Sequence, residues 1–590
     1  MSMEQPDGTQ VDVRLYGDEL YIRGEGLDGY SVIRDPKTGY ICYADLNADS
    51  TDWVSTGRIY RGTEGGDSTS ALAKAGSGRT KGLDLKPEAK RRIRANISDK
   101  LGLAALEAEA RAAAASMNAS APSQASHAIG ALRKSSAVDS VKRVLGVIVL
   151  VDFPDVRATF TKEQISDMGN LKGFNVNGNN GSIHDYFLDV SHGKFDYSLM
   201  VTDYYTAKNN KAYYDRPGGY EGGQELIKEA LQALAAKGFD FSTLSVSGSG
   251  TVRGVNVLFA GAAGKTWGQG IWAHRGNIPT LNFNGVKVSG YMLTDIGTSL
   301  TIGTFIHESG HLLFGWPDLY DYDNDSRGLG TYCLMSGQNY KNPQPPNAWL
   351  RAGQGWEPLI DLKTVTNGLV SVPSNGRANY KYVNPANAKE SFIIENIAKK
   401  GRWANLPDFG LMIWHVDEGG NNSWQDETAA RHYEVSVTQA DDKFDLERNI
   451  NYGGPNDLYR AGNNAAFTSV TAPNSKWWNG SASGLGIVNI SAIKDTMTFQ
   501  LQGVATSMTA MPAADFGMRI SGRALRIKLP GDALLDITAA TPDGRDYRLA
   551  IGSYAPGEHV LDLSALPRGL CLLSIRENGG KSRTRSLILD

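Results

Sequence analysis

Cysteine is nearly missing from this 590-residue chain: Cys42, Cys333 and Cys571 are the whole complement. An odd number so widely spaced builds no disulfide framework and no thiolate metal cluster. Any bound metal must therefore be held by imidazole and carboxylate groups. No apolar run approaches the length that spans a bilayer, so no membrane span is expected. Neither sign of charge is in excess, with 60 Lys and Arg against 63 Asp and Glu. The resulting net charge of −3 offers no electrostatic footprint for nucleic acid or an anionic membrane. The opening residues MSMEQPDGTQ have neither a basic end nor an apolar segment, so no signal peptide is visible.

What is present is an ordinary globular composition, in a chain too long for one hydrophobic core. Residues 7–45 alternate apolar and polar, with turn signals at Gly17-Asp18, Asp28-Gly29 and Pro36-Lys37, and read as a β-meander. Residues 62–82 are rich in Gly and Ser and read as a loop. Helix formers dominate from Pro87 to Met117, with Pro87 in the first turn. The small and polar stretch 116–138 reads as an exposed linker. The continuous apolar run VLGVIVLVDF, from Val144, predicts a strand buried on both faces. Further apolar runs at 255–261 and 288–293, with a helical period over 221–238, indicate layered α+β structure. From residue 362 short strands alternate with Gly, Asn and Pro turns, the pattern of a β-sandwich. The last 75 or so residues repeat that pattern in a separate unit. The expected organisation is a multidomain α+β chain. Its parts are an N-terminal region 1–115, a linker 116–140, a central domain 141–361, a β-rich domain 362–503 and a C-terminal β-sandwich 515–590.

The chemistry is concentrated in HESGHLLFGWPDLYD, residues 307–321. On a helix, predicted to begin near Thr298, His307 and His311 fall on one face one turn apart. Two ring nitrogens at that spacing reach one zinc ion, while Glu308 points off the ligand direction toward a metal-polarised water. Gly315 suits a helix C-cap and Pro317 forbids continuation, so the chain turns where a third ligand is needed. Asp318 is the first choice for it and Asp321 the alternative. Met335, in CLMSG 333–337, suits a tight turn forming the floor of the site. Asp321, Asp323, Asp325 and Gly328 resemble a calcium loop, although Tyr332 stands where such a loop ends in Glu. His274 is read as a packing residue or a substrate contact, and His415 with His432 as a structural pair or a calcium-linked one. Cys42 is read as an inert buried thiol or as a cap on the zinc.

The string IHESGHLLFGWPDLYDYDNDSRGLGTYCLMSG resembles the core of the immune-inhibitor-A-type metallopeptidases, a metzincin-like family of secreted bacterial proteases. VLGVIVLVDFPD, GSIHDYFLDVSHGKFDYS and GIWAHRG resemble further segments of their catalytic domains. SFIIENI, GLMIWHVDE and VTQAD resemble the β-rich domain that follows, and the N-terminal segment resembles a pro-region. Phe314 places Gly315 one residue further from His311 than in the commoner form. The resemblance implies a metzincin-like catalytic domain, with a mixed sheet and a zinc-binding helix, followed by β-sandwich domains. It also implies a monomeric zymogen of a zinc endopeptidase acting on proteins or peptides. Its ligands are His307, His311 and Asp318, Glu308 is the base that activates water, and a structural calcium is a further expectation. The final unit, with DGR at 543–545, resembles a type IX secretion sorting domain, which implies a secreted or cell-surface protein. The rival readings are a binding scaffold or adhesin on a protease fold, and a zinc hydrolase of non-peptide bonds.

Overall fold

The computed structural model describes residues 2–62, 80–109, 112, 141–502 and 519–589, apart from 217–219, 263–269, 323, 338, 366–367 and turn positions 522, 530–532, 542–545, 556 and 578–581. The predicted linker and the DGR tripeptide lie outside the described residues. The chain divides into two compact units, one holding residues 1–123 with 138–504, the other residues 505–590.

The N-terminal strands β1 (Ser2–Glu4), β2 (Gln10–Asp18), β3 (Tyr21–Gly26), β4 (Ser31–Arg34), β5 (Ile41–Leu46) and β6 (Trp53–Ile59) form an antiparallel sheet in sequence order. The meander thus extends past residue 45. Helix α1 spans Pro87–Leu101, with Pro at its start. It ends at Gly102, whose φ of 67° is left-handed, and helical turns resume at 103–109. The single helix read over 87–117 is broken because Gly closes the first piece in an αL cap.

The central sheet is built on β7 (Lys142–Asp152), β8 (Phe195–Val201), β9 (Tyr205–Thr206), β10 (Val255–Phe259), β11 (His274–Phe283) and β12 (Val286–Asp295). Its order is β11-β12-β10-β7-β8, with β9 also on β7. The β7, β8, β10 and β12 pairings are parallel, and the edge strand β11 is antiparallel to β12. Asn284-Gly285 makes the two-residue β11–β12 turn, with φ of 50° and 82°, the positive pair that such hairpins need. The apolar run on β7 serves two cores by alternation. Val147, Val149 and Val151 pack on one face, and Ile148 and Leu150 on the other. The first face is covered by α2 (Glu221–Ala236) through Leu226, Ile227, Ala230 and Leu231. The second is covered by α3 (Gly303–Phe314), the helix carrying the His-Glu-x-x-His motif, through Phe305, Ile306, Leu313 and Phe314.

Helix α3 starts five residues later than Thr298. Its opening donors have tertiary partners in place of a Thr cap: the Ile302 N–H donates to Asn179 Oδ1 at 3.3 Å and the Gly303 N–H to the Tyr340 carbonyl at 2.8 Å. A Cβ at Gly303 would lie 2.7 Å from the Asn339 carbonyl oxygen, so this close approach requires glycine.

In the second half, one sheet joins β13 (Leu359–Asp361), β15 (Asn379–Val383), β16 (Glu390–Ile397), β17 (Gly410–Asp417) and β18 (Val435–Val437), while β14 (Leu369–Pro373), β19 (Ile487–Val488) and β20 (Thr496–Leu501) form another. Val370, Val372, Phe392, Ile394, Ile413, Met497 and Phe499 share one core between them. Arg351, on the short helix α4 (Ala348–Gly353), ties this half to the central one. Its Nε donates to Glu357 Oε1 at 2.6 Å, and its guanidinium also bonds Glu395 of β16 and the Pro346 carbonyl. Residues 519–589 form two further antiparallel sheets around Leu525, Ile527, Leu535, Ile537 and Leu573.

Candidate metal centre

Helix α3 is buried almost throughout, and His307, Glu308, Ser309 and His311 are its buried polar side chains. The helix stops at Gly315, with φ of 65°, and the Trp316 N–H returns to the Gly310 carbonyl at 3.4 Å. Phe314, the extra residue before that stop, is a core side chain packed on Phe195 and Trp356 at centroid distances of 5.0 and 5.2 Å. One more helical residue therefore buries one more aromatic ring, and the chain still reverses at glycine.

The reversal brings Asp318 to the two imidazoles. Its Oδ1 lies 3.2 Å from His307 Nε2 and 3.1 Å from His311 Nε2, and the two Nε2 atoms are 3.2 Å apart. Ligands held tetrahedrally at about 2.0–2.1 Å from zinc stand about 3.3 Å from one another. The proton bookkeeping points the same way. His307 Nδ1 faces the Leu334 carbonyl at 3.1 Å, and His311 Nδ1 faces the Trp316 carbonyl at 2.5 Å. A carbonyl accepts only, so each Nδ1 carries the hydrogen, and each neutral ring presents its Nε2 lone pair to the centre. Asp318 Oδ1 is buried with no hydrogen-bond partner. Three buried lone-pair atoms aimed at one point fit a cation such as zinc. Among the described residues, these three are the group of His, Cys and carboxylate side chains placed to hold a metal.

Asp321, the alternative, is elsewhere. Its Oδ2 accepts the Asp325 and Ser326 N–H groups at 2.8 and 3.1 Å and shapes the loop. Asp323 lies outside the described residues. Met335 is fully buried in a turn closed by Ser336 and Gly337 N–H bonds to the Cys333 carbonyl. Its sulfur lies 3.0 Å from where a Gly310 Cβ would stand, beneath α3. The same turn supplies the Leu334 carbonyl that orients His307.

Glu308 is buried beside the three, and its Oε2 has no hydrogen-bond partner. Burial raises its carboxyl above the usual range, against the pull of His307 and His311 and with the help of Asp318. Burial disfavours charge on His307, but its contact with the Asp318 carboxylate outweighs that and raises the imidazole. Burial acts on Asp318 in the opposite direction from the two histidines, which prevail and hold it well below the normal value.

His274 is a packing residue. It is fully buried, its Nδ1 faces the Trp272 carbonyl at 2.6 Å and its Nε2 the Tyr291 hydroxyl at 2.9 Å. Burial brings its pKa down to about 4. The fold thus holds the ring neutral while the unfolded chain protonates it near 6.5. Stability from this residue is full above pH 6.5 and drains away as pH falls toward 4. We expect His274→Asn to remove about 2–3 kcal/mol of the stability difference between pH 7 and pH 4.5, read from urea midpoints at both values. An unchanged pH dependence would refute the assignment. His415 and His432 pair with Glu390 and Asp417, each at 3.0 Å, and both stack on Trp478. Cys42 is buried on β5, paired across to Ile33 and Ile59, and its thiol is raised by burial.

Sequence reasoning missed the residues that surround the centre. The Tyr322 hydroxyl donates to Asp318 Oδ2 at 2.9 Å, and Tyr220, Trp272 and Leu312 line the same region as Tyr322. Asp18, Glu19 and Leu20 reach it from the N-terminal sheet. A period or a spacing does not reveal contacts between residues this far apart in the chain. A cavity of about 450 Å³ opens toward the N-terminal end of α3, lined by Asp295, Thr298, Thr301, Thr304 and Lys341. None of the metal-competent residues lines it.

The sequence matches no protein-family model and no curated protein. No helix among the described residues is long and apolar enough to cross a membrane.

Proposed function

We propose that the chain is a zinc-dependent endopeptidase, exported as its final unit suggests, with a metzincin-like catalytic domain in residues 141–361. The observation that carries this reading is the convergence of His307 Nε2, His311 Nε2 and Asp318 Oδ1, all buried and within 3.2 Å of one another, beside the unpartnered carboxylate oxygen of Glu308. When bound, zinc supplies Lewis acidity that polarises the scissile carbonyl and acidifies water. The Leu334 and Trp316 carbonyls hold the two imidazoles in the tautomer that ligation requires. Tyr322 fixes the Asp318 carboxylate through its other oxygen. Glu308 takes the proton of the attacking water and passes it to the departing amine. Burial holds its carboxyl above the usual range, which favours a group that both takes and returns a proton.

The test is proteolysis of casein or gelatin by protein freed of its N-terminal segment, with and without a zinc chelator. Cleavage lost on chelation and restored by stoichiometric zinc is the expected result. Protein that takes up zinc and still cleaves nothing would favour a binding scaffold and overturn the proposal.

A further inference from the structure

Leu319, the neighbour of Asp318, is pinned through both of its backbone groups. Its N–H donates to the Met335 carbonyl at 2.7 Å. Its carbonyl accepts the Leu329 N–H at 3.1 Å and Asn422 Nδ2 at 3.2 Å. Asn422 lies 103 residues further along, in the β-rich half, and is 2% exposed. Its side-chain amide is itself held. Nδ2 donates to the Val435 carbonyl at 2.8 Å, and Oδ1 accepts the Val435 N–H at 2.9 Å. A carbonyl only accepts and a backbone N–H only donates, so these partners fix which way the amide faces. They are the bonds a neighbouring strand would offer to β18, an edge strand bonded to β17. The remaining Nδ2 hydrogen goes to Leu319.

The two residues after Asn422 act on the other side of the same carboxylate. The Tyr322 hydroxyl donates to Asp318 Oδ2. The Tyr322 N–H donates to the Ser423 carbonyl at 3.2 Å, and the Trp424 ring meets the Tyr322 ring edge-on at a centroid distance of 5.9 Å. Three consecutive residues thus hold both the backbone beside Asp318 and the hydroxyl that orients it. The two histidines take their orientation elsewhere, from the Leu334 and Trp316 carbonyls.

We propose that the loop Asn422–Trp424 completes the metal centre from the β-rich half, with Asn422 as a positioning residue that carries the geometry of β18 to Asp318. This rests on the endopeptidase reading and adds a second part of the chain to its site. Metal affinity is then set in part outside residues 141–361. An Asn422 that merely joined the two halves would affect stability and leave the surroundings of the metal as they were.

The test uses the full chain loaded with cobalt(II). Visible absorption of the metal reports its surroundings, and competition with a chelator gives the affinity. Asn422→Asp keeps the size of the side chain and the acceptor for the Val435 N–H but loses the donor to Leu319. Asn422→Ala loses both. Each should bind cobalt about 10–100-fold more weakly, the usual cost of disturbing a group that orients a ligand, and should show an altered absorption band. Trp424→Leu leaves the amide in place and should move both readings the same way by less. It decides the matter if the Asn422 variants do not fold. Wild-type affinity together with an unchanged band in the folded variants would overturn the positioning role while leaving the metal centre intact. Wild-type protein that takes up no cobalt would overturn the endopeptidase reading itself.

Discussion

Glu308→Gln is expected to lower kcat by about 10³–10⁴-fold, the upper part of the range for a lost general acid–base, while metal content stays at one ion per chain. The two halves of that result have separate causes. His307, His311 and Asp318 supply the converging atoms, and none of them depends on Glu308 for orientation: their partners are Leu334, Trp316 and Tyr322. Glutamine keeps the size of the side chain and removes the basic oxygen. Turnover on a peptide substrate with the N-terminal segment removed, alongside metal analysis of the same sample, measures both. Activity within tenfold of wild type would move the proton-transfer role elsewhere. Loss of metal together with activity would show that Glu308 is part of the scaffold.

Arg351→Met is expected to cost about 3–5 kcal/mol of stability, the usual penalty for removing one partner of a buried charge group. Glu357 and Glu395 are 4% and 0% exposed, and both depend on this guanidinium. Glu357 also receives Asn379 Nδ2 at 2.7 Å and faces His192 Nε2 at 3.0 Å, and Glu395 receives the Trp414 indole at 3.2 Å. These bonds cannot replace a full positive charge. Adding Glu357→Gln and Glu395→Gln to the same protein should recover part of the loss, since neutral amides remove the unpaired charges. Urea unfolding of the single and triple variants decides it. A single variant within about 1 kcal/mol of wild type would mean that the charges had already been neutralised by other means.

The sequence made legible whatever is local. The His307–His311 spacing, the Gly315 stop and the early carboxylate at Asp318 all follow from helix periodicity and capping, and the structure brings these residues together. The apolar run of β7 announced a strand buried on both faces, and it separates two cores. Two boundaries shifted for reasons outside any short window: α3 opens against Asn179 and Tyr340 rather than at Thr298, and Gly102 breaks the helix after Pro87. The surroundings of the centre were not legible at all. Arg94 meets Asp18 across 76 residues of chain, and nothing in the character of either residue announces the pairing. The placement of Asp321 likewise depends on the path of the loop, in which it turns back to bond Asp325 and Ser326.

The segment lying along β11 also bears on how the protein comes to be folded. β11 is an edge strand, and next to it Tyr220, Trp272, Leu312 and Tyr322 form an apolar wall that Leu20, Leu101, Leu103 and Leu106 cover. Bare strand edges and apolar walls are the surfaces through which newly made chains stick to one another. A covalently attached partner meets them at a high effective concentration. The N-terminal sheet and α1 therefore cover, from within the same chain, an apolar wall that would otherwise lie open to other chains.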